Sequence, residues 1–242
     1  MAVAGAAMEL GTRIGLHGLA DALMAIVRDA EEPEKLRARA AISLGAVIEQ
    51  ADMDGFEDPA DVPIFERSFR NIQDTLHRLY LDRSNPEEVR RQILEASVRA
   101  PQYWHQNANM AACSSGDEDW MLTAVFSMRW VRGFDNQILE ALKSADPEIH
   151  YQAVNAAGNW ELDTAWPHII SLLNDAGTPK PLLLAAIGAA SSIRPQEAGE
   201  ILMDLAASED EEIAEAADEA IAMSEPMSDE KDDEDDASEW IN

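Results

Sequence analysis

A pattern about 31 residues long recurs along this chain and limits its fold more than any other feature. Six segments open on an acidic or proline-containing start, then place apolar residues at helical spacing with small residues midway. They are Glu32–Leu44, Asn85–Ser97, Asp119–Met128, Asp146–Ala157, Thr178–Ala190 and Asp210–Ile221. Their first expected buried positions are Leu36, Val89, Met121, Ile149, Leu182 and Ile213, at intervals of 53, 32, 28, 33 and 31 residues. Only the first gap is long, and an insertion around residues 51–62 accounts for it, so the first repeat is expected to pack differently.

Each segment starts as a helix should. Pro33, Pro86, Pro147 and Pro179 suit a first helical turn, where the missing N–H costs nothing, and Asn85, Asp146 and Thr178 precede three of them as N-caps. A second helical pattern fills the spaces between, over residues 16–30, 63–81, 102–114, 134–144, 163–174 and 195–207, with Gly116, Gly133 and Gly177 as punctuation. Six pairs of short amphipathic helices result. One pair cannot bury its apolar faces alone, whereas stacked pairs share a continuous core. Ala40, Ala124, Ala153, Ala186 and Ala217, at the centres of the second helices, let neighbouring pairs approach closely. The expected fold is all-α, a right-handed α-solenoid of about six helix pairs over residues 16–225. Residues 1–15 form an extension or cap, and residues 226–242 a tail.

Charge divides the molecule. Residues 195–242 carry 19 Asp and Glu against one lysine, Lys231, leaving only −11 of the chain's −29 for the other 194 residues. So acidic a chain repels nucleic-acid phosphates and anionic membranes, so its partner is expected to be a protein. No stretch is long enough to span a membrane, the N-terminus lacks a basic leader, and the single cysteine, Cys113, forms no internal disulfide. A soluble, cytoplasmic protein is the expectation. The tail, Ser228–Asn242, cannot bury a core and is expected to be disordered.

The stretches Leu162-Asp-Thr-Ala-Trp-Pro-His-Ile-Ile-Ser-Leu-Leu-Asn-Asp175 and Asp146-Pro-Glu-Ile-His-Tyr-Gln-Ala-Val-Asn-Ala-Ala-Gly158 resemble the two helices of a HEAT-like repeat. The resemblance is to the short subtype also found in phycobilisome lyases, and it covers residues 16–225. The Val-Arg pair usual on the second helix stands at Val89-Arg90, while Ile149-His150, Leu182-Leu183 and Ile213-Ala214 depart from it. The resemblance implies a fold rather than an activity, since such repeats occur in scaffolds, lyase subunits and relatives of DNA glycosylases.

No motif for catalysis emerges. There is no Gly-rich phosphate loop and no nucleophile–base–acid set. Asp52–Asp61 looks like a calcium loop but has Glu57 and Pro63 where an EF-hand needs Gly and Glu, so it reads as a solvated connection. The five histidines show no i, i+4 pair, and no metal or cofactor is expected. Tyr103-Trp104-His105 opens an unusual run ending at Asn109, either a contact surface or a helix with Trp104 buried against Trp120 or Trp130. Arg90, Arg91 and Arg99, with Arg67, Arg70 and Arg78, make either a basic stripe or pairs with Glu87, Glu88 and Glu95 of their own helices. In the tail, Trp240-Ile241 after eight acids suits a linear motif.

The reading that follows is a non-catalytic scaffold or adaptor. Arg90, Arg91, Tyr103, Trp104, His105, Trp240 and Ile241 are its candidate partner-binding residues. The alternative is a chromophore-handling lyase or chaperone-like subunit with Tyr103–Asn109 as its pocket, though a small-molecule ligand is not expected. A DNA glycosylase needs a basic concave face, and the net charge opposes it.

Overall fold

The computed structural model describes residues 13–56 and 64–224. Among these there is no strand, only twelve α-helices and one 3₁₀ turn. The helices alternate between two layers. The outer ones are α1 (Arg13–Arg28), α3 (Glu66–Leu81), α5 (Tyr103–Cys113), α7 (Asp135–Ala141), α9 (Trp166–Asn174) and α11 (Pro195–Ala206). The inner ones are α2 (Glu34–Asp54), α4 (Glu87–Ser97), α6 (Glu118–Ser127), α8 (Pro147–Asn159), α10 (Lys180–Ile193) and α12 (Glu211–Ser224).

Each outer helix packs on the inner helix that follows it, and each inner helix packs on the next inner helix. No outer helix packs comparably on the next outer one. The layer whose members lie closer is the concave layer of a solenoid, and the wider-spaced layer is its convex side. The six expected pairs are therefore present, and the chain is an all-helical solenoid.

Small residues set the inner spacing. Ala40, Ala124, Ala153, Ala186 and Ala217 are buried as expected, and Ala96, Ala156, Ala157, Ala189 and Ala190 join them. Gly158 of α8 lies so close to α10 that a Cβ there would fall 2.8 Å from the Ala189 Cα. Larger side chains, among them Leu44, Leu76, Ile93, Phe134, Ile138, Ile169 and Leu202, fill the space between the layers. Each contributes about 1.5–3 kcal/mol by leaving water.

Several helix starts differ from expectation. Pro33, Pro86 and Pro179 stand at the N-cap position with extended backbone (ψ 137°, 148° and 137°), and of the four prolines only Pro147 lies inside its helix. Proline's fixed φ suits the residue that turns the chain into a helix as well as the first turn itself. Asp146 does cap α8, accepting from the Glu148 and Ile149 N–H groups, and Asp117 caps α6. Asn85 and Thr178 do not cap. Asn85 Nδ2 donates to the Leu79 carbonyl and Thr178 Oγ1 to the Leu172 carbonyl, each six residues back in the last turn of an outer helix. They satisfy carbonyls that the helix itself leaves unpaired.

The first repeat shares the second's inward arginine, although its inner helix is longer, at 21 residues against 11. Arg37 donates through Nε and Nη2 to the Val27 carbonyl, and Arg90 through Nε to the Tyr80 carbonyl, each ten residues back at the end of an outer helix. Arg37 Nη2 also donates to Asn85 Oδ1 at 2.6 Å, joining the first two repeats. With Arg37 taking the inward position, Leu36 is 42% exposed rather than buried. The added length enters at the C-terminal end of α2, whose last turn includes Asp52, Met53 and Asp54. Residues 57–63, the rest of the expected connection, lie outside the described residues.

The close approach of α8 and α10 makes opposite forecasts for two helical glycines. Gly158→Ala must push the layers apart and is expected to lower stability by about 1–3 kcal/mol. Gly188→Ala meets nothing within 4 Å and is expected to raise it by about 0.5–1 kcal/mol. Urea unfolding of both variants checks the signs, and a stable Gly158→Ala protein contradicts the packing.

Candidate functional site

The repeat makes the inner helices run parallel, so their C-terminal ends align along one rim of the solenoid. Arginines collect there: Arg99 after α4, Arg129 and Arg132 after α6, and Arg194 after α10. Unpaired carbonyls make helix C-termini electronegative, which favours cations. Each guanidinium also lies over an indole ring. Arg99 and Arg129 flank Trp130 at 5.4 and 4.9 Å from its centroid, Arg132 lies 4.8 Å from Trp160, and Arg194 lies 5.5 Å from Trp166. The rings are anchored in turn. Trp160 donates Nε1–H to the Met128 carbonyl, and Asn159 Nδ2 donates to the Arg129 carbonyl at 3.1 Å.

The four arginines differ in their partners. Arg99 pairs with Glu49, and Arg194 with Asp163 and Glu197. No carboxylate among the described residues pairs with Arg129 or Arg132, and the buried Nε of Arg129 has no hydrogen-bond partner. Burial foremost, with the charge of Arg99 adding to it, pulls Arg129 below its ordinary pKa, while Tyr151 and Glu49 oppose the shift. Arginine stays cationic through such shifts, so an arriving anion would find a positive charge little shielded by water.

Leu122 and Phe126 of α6, Tyr151 and Asn155 of α8 and Leu184 of α10 continue from the rim into the concave face, all half-buried. Tyr151, Asn155 and Leu184 line a cavity of about 420 Å³ with Lys180, which Asp210 and Glu212 hold. A second cavity, about 530 Å³, is lined by Cys113, Met121, Ala141 and Ile149 beside Lys143 and Glu140. Burial pushes the Cys113 thiol above its usual pKa, away from nucleophilic character.

Of the residues singled out from sequence, Arg99 lies on this rim, and the other described ones fall elsewhere. Arg90 is 3% exposed and lies 5.3 Å from the Tyr80 ring centroid and 5.5 Å from that of Trp120. Arg91 pairs with Asp119 of α6 at 3.0 Å. Arg70 pairs with Glu66 one turn earlier, and Arg78 reaches Thr75 and the Asp74 carbonyl. These four arginines thus bond to separate partners, Arg91 in the next repeat and the others within their own, while Glu95 feels the charges of Arg91 and Arg99.

Tyr103 is exposed, while Trp104, His105 and Asn109 are buried. Trp104 stacks on His77 (4.5 Å, 12°) and leans on Tyr80, which in turn meets Trp120 edge-on. Trp240 and Ile241 lie outside the described residues.

His105 forms half of a capping box. Its Nδ1 accepts from the Gln102 N–H at 2.8 Å and its Nε2 lies 3.0 Å from Ser97 Oγ, which donates to the Leu94 carbonyl. These bonds assign the imidazole proton to Nε2. A second pair, His150 of α8 and His168 of α9, meets Nε2 to Nε2 at 2.7 Å. Burial lowers the pKa of both, which suits one N–H donor facing one lone pair. The i, i+4 rule used on the sequence searches a single helix and misses such a cross-helix pair. Among the described residues no group of three or more His, Cys, Asp or Glu can hold a metal ion, and no helix is long and apolar enough to cross a membrane.

The fold and rim together define the class: a helical-repeat solenoid with an arginine- and tryptophan-lined edge. Similar solved structures include two engineered proteins at 16% identity each. One covers 85% of this chain and 96% of its own with a TM-score of 0.47, the other 87% and 58% with 0.48. Human deoxyhypusine hydroxylase is similar at 14% identity, over 88% of this chain and 80% of its own, with a TM-score of 0.43. No family model matches the sequence, and no curated protein matches it.

The buried His105 gives a pH forecast. Burial first, and the neighbouring His77 second, push its pKa down to about 3. Its contribution to stability is therefore complete above the unfolded value near 6.5 and is lost as pH falls from there toward 3. Between pH 7.5 and 5.5 it should account for about 1.4 kcal/mol of lost stability. Urea midpoints at both pH values check this, with a smaller pH difference expected in His105→Gln and an unchanged one contradicting it.

Proposed function

We propose that this protein is a non-catalytic scaffold or adaptor that binds a protein partner on the concave face of its solenoid. The observation carrying this reading is the row of half-buried side chains on successive inner helices, Leu122, Phe126, Tyr151 and Leu184, ending at Arg129 and Arg132. Aromatic and apolar side chains beside arginines with no ion-pair partner are the composition of a binding hot spot. The fold's resemblance to HEAT-like repeats supports it, since such solenoids present concave surfaces to partners. The net charge supports a protein rather than a nucleic acid as that partner.

Tyr103–Asn109 does not favour the chromophore-handling alternative. Trp104, His105 and Asn109 are spent in the interior, and only Tyr103, Gln106 and Asn107 of the run face outward. Neither Cys113, made less acidic by burial, nor His105, buried and neutral, offers an activated group for catalysis.

Quantitative capture from native lysate tests the proposal with three proteins. The wild-type chain and an outer-layer control, Met203→Asp, should recover the same partner. The concave-face variant Tyr151→Asp/Leu184→Asp should lose at least about nine-tenths of it, the effect of removing about 1.4 kcal/mol. Equal recovery by all three overturns the concave-face assignment.

A further inference from the structure

Helix α12 ends at Ser224, and because the inner helices run parallel that end lies on the same rim as Arg99, Arg129, Arg132 and Arg194. The 18 residues that follow, 225–242, carry eight acids between Asp229 and Glu239 and end in Trp240-Ile241-Asn242. In sequence, the most acidic segment of the chain thus follows a helix end that lies on the edge where the arginines collect.

We propose that this segment docks on the rim at Arg129 and Arg132, its carboxylates on the two guanidiniums and Trp240-Ile241 against the half-buried Trp130 and Trp160. Three observations select that position. Arg99 and Arg194 are already held by carboxylates, whereas Arg129 and Arg132 have none among the described residues. The Nε atoms of Arg99 and Arg129 are both buried without a hydrogen-bond partner, but only Arg99 has another guanidinium nitrogen on a carboxylate, so the charge of Arg129 is the one the solenoid leaves unanswered. Reach is sufficient. From α12 to α6 are three inner-helix steps of about 10 Å, or about 30 Å. Sixteen residues of extended chain, from Ser224 to Trp240, span about 50 Å.

Docking of this kind is intramolecular and has a consequence for binding. The tail occupies the end of the concave face nearest the rim, so a partner must displace it and an acidic partner competes with it directly. That consequence rests on the concave-face reading above, but the docking itself requires only the rim.

The test uses the full-length chain in two forms, wild type and one with Asp and Glu of residues 229–239 replaced by Asn and Gln. A fluorescein-labelled peptide of residues 226–242 is the probe, read by anisotropy. The peptide should bind the neutral-tail chain at low salt and bind wild type at least about tenfold more weakly, because the tethered tail holds the site. Raising ionic strength from about 0.02 to about 0.2 M should weaken binding several-fold or more as the Debye length shortens. Arg129→Glu/Arg132→Glu in the neutral-tail chain should abolish it. Arg129→Gln/Arg132→Gln, which removes charge without reversing it, should weaken it at least about tenfold, with helix content by circular dichroism confirming the fold. No binding to the neutral-tail chain overturns the proposal, as does equal binding to wild type or binding that survives both arginine variants. None of these results depends on whether a lysate partner is found, so the two readings fail separately.

Discussion

The close approach of the inner helices is the constraint on which the rest of the molecule depends. Alanines at repeat-equivalent positions, and Gly158 facing Ala189, let the backbones of successive inner helices approach with little more than methyl groups at these contacts. Dispersion and apolar burial then act along the whole stack, so one core cluster runs from Ala20 to Ala220. The outer helices, held mainly by their own pairs, spread apart. Curvature follows from that difference in spacing, and with it come a concave face and two rims.

Polar groups tie the layers together where apolar packing cannot. The last carbonyls of α1, α3 and α9 are met by Arg37, by Arg90 with Asn85, and by Thr178. Four of these bonds follow a fixed offset, ten residues back for the arginines and six for Asn85 and Thr178. The same physics at the other end of the inner helices draws Arg99, Arg129, Arg132 and Arg194 to the rim. A feature of helix electrostatics thereby sets a row of cations beside tryptophans in a molecule whose net charge is −29. The scaffold proposal and the proposed tail docking both start from that row.

Most of the fold was legible in the sequence because the repeat is written in residue types that report helices directly. Period, small residues at the inner contact, and prolines at helix starts each point to the same six pairs. Details decided by one-residue register were not legible. Leu36 faces outward because Arg37 takes the inner position, and nothing in an apolar pattern reveals that a buried arginine outranks a leucine there. Asn85 and Thr178 have the composition of caps, yet tertiary carbonyls claim their side chains.

The candidate site was harder to read, since it joins residues about thirty positions apart. Arg99, Trp130 and Trp160 converge only once the solenoid stacks. The local run Arg129-Trp130-Val131-Arg132, two arginines around a tryptophan just past a helix end, was the available signal. Tyr103-Trp104-His105 stood out in the sequence instead, but two of its three side chains serve the interior.

Native-state hydrogen exchange on the full-length protein tests the central claim most directly, because it reads the stability of each helix separately. If inner-layer packing holds the molecule, the amides of α4, α6, α8 and α10 exchange most slowly, and those of α7, α9 and α11 open at lower free energy. Outer helices as well protected as these inner ones would contradict the account.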